Sequence, residues 1–523
     1  MKANKIFNIT AGVALILGAT ACSSDYLDLK PEGTLTYEEV LGNEEGATLA
    51  VNGMGAAMYK QYSNISDGSL GFNGEPSILQ YYGECTGQDY VSMYWMMYGS
   101  TPYMNWDADG TSDMNSSSGS QPAWSYCYNL ISMANNLITY TPKKHDEQGN
   151  VLEDPDFNFN PVPDVEGLYA FRYAQALTFR AHAYIHLMQI YCARYEDHIL
   201  ANGDQSLTVP LRLEYENQQD NLSKDLATWE ELMFQIYADL QQAISIYQAS
   251  GARRSEMWEP DIDIARGLLA RAAMINHDWE LAETMAAAAR QDYPIMSADE
   301  YQEGFANPTS EWMWTNSGES QGLYFWSFGA TYACNGAYPT RWGTIGAGGI
   351  SNQLINEGLE NKWGYQYDQR LQLFFSPEIQ PVYRSDFFDS SQVDTQTMDI
   401  NGQSGNLHKG FVKFCIDKYS KVQDFGWLPP YTFYGAPLLE SGVYTTCSAV
   451  FGAQFKFWGF DNYSASFYPF MRASEMLLIE AEAAYMQGGK ENKVNQLLTE
   501  LNTKRYSTDR YGENRYDYTF SGN

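Results

Sequence analysis

The sequence predicts a mostly α-helical chain, a superhelix of paired helices carrying long loop-rich insertions and few short strands. Three observations lead there. Apolar residues recur at spacings of three and four through the middle of the chain and near its end. Polar or glycine breaks of a few residues divide these runs into pairs. Two long stretches lose the period altogether and fill with glycine, proline and aromatic residues.

The elements follow in order. Over 166–195, Ala170, Ala174, Leu177, Ala181, Ile185, Met188 and Tyr191 draw one apolar stripe down a long helix. The alanines on that stripe admit a partner helix at close range. A second helix spans 226–247, with Leu232, Ile236, Leu240, Ala243 and Ile244 on one side and Ser223 or Thr228 as its cap. Residues 264–275 and 279–290 form a helical hairpin broken at Asn276, His277 and Asp278, where Asn suits a helix end and Asp an N-cap. A last pair spans 470–486 and 492–505, separated by Gly488 and Gly489. Short alanine-rich helices in pairs are the pattern of tetratricopeptide-type repeats. The irregular stretches run over 62–121 and 318–466, and long loops on a rigid scaffold are where binding residues concentrate.

The N-terminus reads as an export signal. Lys2 and Lys5 precede an apolar run over 6–17, too short to span a bilayer, and then the small residues Gly18, Ala19, Thr20 and Ala21. Cys22 follows, and the segment resembles a bacterial lipobox, although Ala19 stands where leucine is favoured. The expectation is cleavage after residue 21, lipidation of Cys22 and attachment to a membrane by acyl chains, each buried CH₂ contributing about 0.8 kcal/mol.

Charge excludes one class of partner. The chain has 64 acidic against 32 basic residues, a net charge of −32, and cleavage would remove only Lys2 and Lys5 from that balance. Nucleic-acid binding rests on phosphate contacts, which such a field opposes. Aromatics make up 15% of the chain, with 40 Tyr and 13 Trp, an ample supply of flat, half-polar side chains suited to sugar faces as well as to a core.

No cofactor or metal signature emerges. Cys85, Cys127, Cys192, Cys334, Cys415 and Cys447 lack any CxxC spacing, and their even number in an exported chain permits disulfides without fixing a pairing. His182 and His186 sit at i, i+4 spacing without the glutamate of an HExxH motif, so no metal site is expected there. Asp107, Asp109 and Asp113 alternate near a glycine in the manner of a calcium loop, but Ser118 stands at position 12, and a solvated turn is the plainer reading.

Several fragments, in order, carry a resemblance: residues 22–31, 124–136, 179–181 leading to 209–211, 227–230 with Asp239, Leu240 and Ala243, 267–272, 471–483 and 501–505. Together they resemble the SusD/RagB family of outer-membrane nutrient-binding lipoproteins. The resemblance implies a signal peptide over 1–21, an N-terminal region with tetratricopeptide-like helix pairs over 22–320, and a loop-rich C-terminal region over 321–523. The family usually continues into a further helix, so the resemblance implies either a truncated sequence or an incomplete last repeat.

The implied function is capture of glycan fragments at the cell surface and delivery to a SusC-like TonB-dependent transporter, with no catalysis and no cofactor. The family's usual placement puts the ligand site before Trp124 and after a helical segment at 311–314. The candidate platforms are Tyr94, Trp95, Tyr98 and Trp106 from the first stretch, with Trp326, Tyr332 and Trp342 from the second; Asn105 and Arg341 are candidates for bonding hydroxyls. A peptide-binding member of the same family is one alternative. An all-α glycoside hydrolase is another, since among 64 acids some pair meets any carboxylate spacing.

Overall fold

The computed structural model describes residues 36–59, 74, 75, 78, 90–92, 121–214, 225–302, 305, 307–316, 348–350, 393–400, 403–408 and 467–505. The helices are α1 (Tyr37–Leu41), α2 (Glu44–Tyr59), α3 (Gln121–Tyr140), α4 (Gly167–Tyr191), α5 (Trp229–Ser250), α6 (Ile262–Ile275), α7 (Trp279–Ala289), α8 (Ala298–Gln302), α9 (Ala473–Gln487) and α10 (Glu491–Arg505). The strands are β1 (Tyr90–Ser92), β2 (Glu153–Asp154), β3 (Asn160–Pro161), β4 (Leu207–Pro210), β5 (Leu226–Thr228), β6 (Trp312–Thr315), β7 (Gly348–Ile350), β8 (Val393–Ile400), β9 (Gln403–His408) and β10 (Pro469–Arg472). These strands pair only two by two, always antiparallel: β1 with β7, β2 with β3, β4 with β5, β6 with β10, β8 with β9. The architecture is thus mostly α with few short strands, as the sequence predicts.

The helices stack in sequence. α4 packs between α3 and α5, α5 meets α6, α6 meets α7, α7 meets α9 and α9 meets α10, with α2 laid against α3 and α4. One core runs through the stack from Ala47 to Leu501. Fully buried side chains such as Leu177, Phe179, Leu187, Leu240 and Leu268 each contribute roughly 1.5–3 kcal/mol. No described helix is long and apolar enough to cross a membrane.

Helix ends are set by side chains. Thr228 caps α5 through a reciprocal pair: its hydroxyl accepts from the Glu231 N–H at 3.3 Å, and the Glu231 carboxylate accepts from the Thr228 N–H at 2.7 Å. This helix starts at Trp229, three residues later than the apolar pattern suggests, because 226–228 belong to β5. Ser223 lies outside the described residues. Asp261 caps α6, accepting from the N–H groups of Asp263 and Ile264. In the hairpin turn Asp278 caps α7 as expected, and the left-handed residue is His277 (φ 56°) with Asn276 still at the helix end.

The sequence pattern makes α4 an amphipathic helix, but every residue from Tyr169 to Met188 is buried. Outside the apolar stripe the helix carries Arg172, Gln175, Arg180, His182 and His186, and each must find partners inside the protein. Arg180 grips Asp239 of α5 through two bonds, Nε to Oδ2 at 2.7 Å and Nη2 to Oδ1 at 2.6 Å. It also donates to Asn135 of α3 and to the Leu213 carbonyl. Gln235 and Asn160 donate to the same carboxylate. Arg172 meets Glu259 at 2.9 Å. Polar contacts of this kind fix register between helices that apolar packing alone leaves free to slide.

A second correction concerns 311–314, expected to be helical. Trp312–Thr315 is strand β6, all four residues buried, paired with β10. A four-residue run holding two tryptophans is too short to show a helical period, and a two-stranded ladder satisfies its backbone.

Candidate functional site

β6 and β10 form the neck of the long C-terminal excursion. Asn316 and Tyr468 meet beside this ladder although 152 positions separate them in the sequence. The Tyr468 N–H donates to the Asn316 side chain at 2.7 Å, and the Thr315 hydroxyl donates to the Tyr468 carbonyl at 2.8 Å. Beneath the neck, Glu311 is fully buried. Its carboxylate accepts from Arg505 of α10 at 2.7 Å and from the Met296 N–H at 2.9 Å, and Arg472 of β10 lies 3.3 Å away. Burial raises the Glu311 pKa, but Arg472 and Arg505 outweigh it and hold the carboxyl below its ordinary value. Both ends of the excursion are therefore locked to one rigid base.

The two irregular stretches meet on the β1–β7 ladder, where Tyr90 faces Ile350, Val91 faces Gly349 and Ser92 faces Gly348. In the antiparallel register Ser92 and Gly348 share one end of the ladder. Tyr94 and Trp95 are two and three positions past Ser92; Arg341 and Trp342 are seven and six before Gly348. All nine ligand candidates, Tyr94, Trp95, Tyr98, Asn105, Trp106, Trp326, Tyr332, Arg341 and Trp342, lie outside the described residues. So do Cys22 and the trio Asp107, Asp109 and Asp113.

A buried polar cluster, of which the sequence reading saw only the histidine pair, sits at the root of the first stretch. Glu75 lies against one face of α4, its Oε2 3.0 Å from His182 Nε2 and its Oε1 2.7 Å from His186 Nε2. The Tyr126 hydroxyl of α3 donates to Oε2 at 3.1 Å. The i, i+4 spacing turns both imidazoles to the same side of the helix, with ring centroids 4.5 Å apart. The expected carboxylate partner was sought within the helix, whereas Glu75 arrives from 107 positions away. No local signal reports a contact at that separation.

The electrostatics of the cluster follow from burial and from this one carboxylate. Burial raises the Glu75 pKa, but the His186 and His182 charges and hydrogen bonds reverse that and hold it well below the ordinary range. Burial lowers His182 to about 4 against the pull of Glu75, so this imidazole is neutral at pH 7 and donates its Nε2 proton to the carboxylate. Its Nδ1 is buried with no partner among the described residues. Burial and then the Glu75 charge push the Tyr126 hydroxyl and the neighbouring Cys127 thiol up. Cys127 and Cys192 are free thiols, buried and half-buried. The other cysteines lie outside the described residues.

No family model matches the sequence, and no curated protein matches it. Solved structures do. The chain is similar to a SusD superfamily protein from Bacteroides thetaiotaomicron VPI-5482 (TM-score 0.55, 15% identity, covering 89% of this chain and 81% of that one). It is similar to a SusD-like carbohydrate binding protein from Bacteroides vulgatus ATCC 8482 (TM-score 0.52, 16% identity, 90% and 77% covered). A third, a SusD-like carbohydrate-binding protein from Bacteroides fragilis NCTC 9343, gives a TM-score of 0.52 at 11% identity, with 89% and 80% covered. At such identities the likeness is one of fold.

Proposed function

We propose, from a fold that is that of the SusD-like proteins, that this chain is a SusD/RagB-family lipoprotein that binds glycan fragments. In this reading it is anchored by Cys22 at the surface of the outer membrane, passes its ligand to a SusC-like TonB-dependent transporter, and performs no chemistry on it. The observation that carries the reading is the pairing of β1 with β7 on a helical scaffold similar to that of SusD-like carbohydrate-binding proteins. That ladder tethers the two aromatic-bearing stretches to each other, and a sugar ring needs such platforms from more than one side.

The neck at Asn316 and Tyr468 supports the same reading. A binding surface built on a long excursion works only if the base does not move, since a ligand that must first order a loop loses affinity to that ordering. The Glu311, Arg472 and Arg505 contacts supply the fixed base.

The test is a panel of soluble polysaccharides, each in native affinity gels and in a reducing-end assay. Retardation by at least one glycan with no release of reducing ends is expected. Sustained release would place the protein among glycoside hydrolases. Retardation by none, with binding to oligopeptides, would favour the peptide-binding alternative.

A further inference from the structure

We propose that Glu75, His182 and His186 form a binding site for a single divalent transition-metal ion of the zinc class, which staples the root of the first irregular stretch to α4. The ligand atoms of the three residues all lie within 4.8 Å of one another and all three residues are buried. A tetrahedral ion with bonds of about 2.0–2.1 Å needs donor atoms roughly 3.3 Å apart. The carboxylate contacts at 2.7 and 3.0 Å fall just short of that, so small rotations of the side chains open the space.

Donor chemistry selects the ion. Two imidazole nitrogens and one carboxylate suit zinc, cobalt or nickel, whereas calcium and magnesium take all-oxygen shells. Metal binding requires each imidazole to offer the Nε2 lone pair, with its proton carried on Nδ1. His182 gives its Nε2 proton to Glu75 in the metal-free site, and its Nδ1, which has no partner among the described residues, is open to carry that proton when an ion takes Nε2. The Tyr126 hydroxyl orients the carboxylate, and the Trp314 ring, centred 4.9 Å from that of His182, closes the apolar side.

Charge points the same way. A buried carboxylate calls for a cation. Arg271, whose charge interacts with Glu75, is already bound to Glu475 through two bonds of 2.6 and 2.7 Å. A divalent ion would satisfy Glu75 directly, and the metal would tie a residue of the first stretch to the most deeply buried helix.

The test uses the full chain without an affinity tag, stripped with a chelator, dialysed and loaded with Zn²⁺ or Co²⁺. About one equivalent of zinc should survive gel filtration by elemental analysis, and Co²⁺ should give the visible bands of a tetrahedral site. Glu75→Gln and the double variant H182N/H186N should each weaken Zn²⁺ binding by roughly 100-fold or more. Full-affinity binding by the double variant would overturn the assignment. Should the variants fail to fold, the wild-type Co²⁺ spectrum decides: tetrahedral bands support the site, and their absence overturns it.

Discussion

Replacing Asp239 with Asn tests whether the scaffold depends on buried charge pairing as much as on its apolar core. The Arg180 and Asp239 side chains are 1% and 0% exposed, joined at 2.6 Å. Burial lowers the Arg180 pKa, but the Asp239 charge and hydrogen bonds outweigh that and raise it, so the guanidinium stays charged. The substitution keeps the volume and removes the charge, leaving a buried cation uncompensated, which costs about 3–5 kcal/mol. With a guanidinium m-value of at least about 6 kcal/mol/M for a chain of this size, the unfolding midpoint followed by circular dichroism should drop by roughly 0.5–0.8 M. Removing both partners in R180M/D239L should recover much of that loss, because the desolvation of two charges disappears with their attraction. A midpoint for Asp239→Asn within about 0.2 M of wild type, or a double variant less stable than the single, would refute the reasoning.

Three further outcomes are expected. Gly55 of α2 lies so close to the Trp258 ring that an added Cβ would sit 2.4 Å from it; Gly55→Ala should lower Tm, since overpacking of about 1–3 kcal/mol exceeds the roughly 1 kcal/mol gained in helix propensity. An unchanged or higher Tm would contradict the packing. Burial raises the Glu283 pKa, but hydrogen bonds from Lys490, Lys493 and Gln487 bring it down to about 2 from an ordinary 4.5. Its contribution is then present above pH 4.5 and is lost as pH falls from there towards 2. Glu283→Gln should flatten the acid limb of a Tm-versus-pH curve, and parallel curves would count against the pairing. Cys22→Ser should leave the membrane fraction of expressing cells; persistence there would contradict a lipid anchor.

How far the sequence could be read depended on the range of each contact. The α6–α7 hairpin and the last helix pair were legible because their apolar spacing, Asp278 and the Gly488 break are local signals. Helix α2 was not, since Gly46, Gly53 and Gly55 lower helix propensity, and Gly55 is there for close packing against Trp258. The β8–β9 hairpin left a signal that went unused: Asn401 and Gly402 separate its strands, a dipeptide that favours two-residue hairpin loops. For α4, periodicity located the helix but could not show that its polar face is also buried, because Asp239, Glu259 and Glu75 come from distant segments. Trp312–Thr315 misled in the opposite direction, as a segment of four residues carries no period to measure. The candidate aromatics were chosen by composition and placement, and they lie outside the described residues; the pairing of Val91 with Gly349 is a contact at long sequence separation that no local signal reports.

Affinity electrophoresis of Trp95→Ala and Trp342→Ala, in a gel containing a polysaccharide that retards the wild type, probes the glycan-binding claim most directly. Each substitution should weaken retention by roughly 2- to 10-fold, corresponding to about 0.5–1.5 kcal/mol of ring stacking, with the helical circular dichroism unchanged. Wild-type retention by both variants would contradict a binding surface shared between the two stretches.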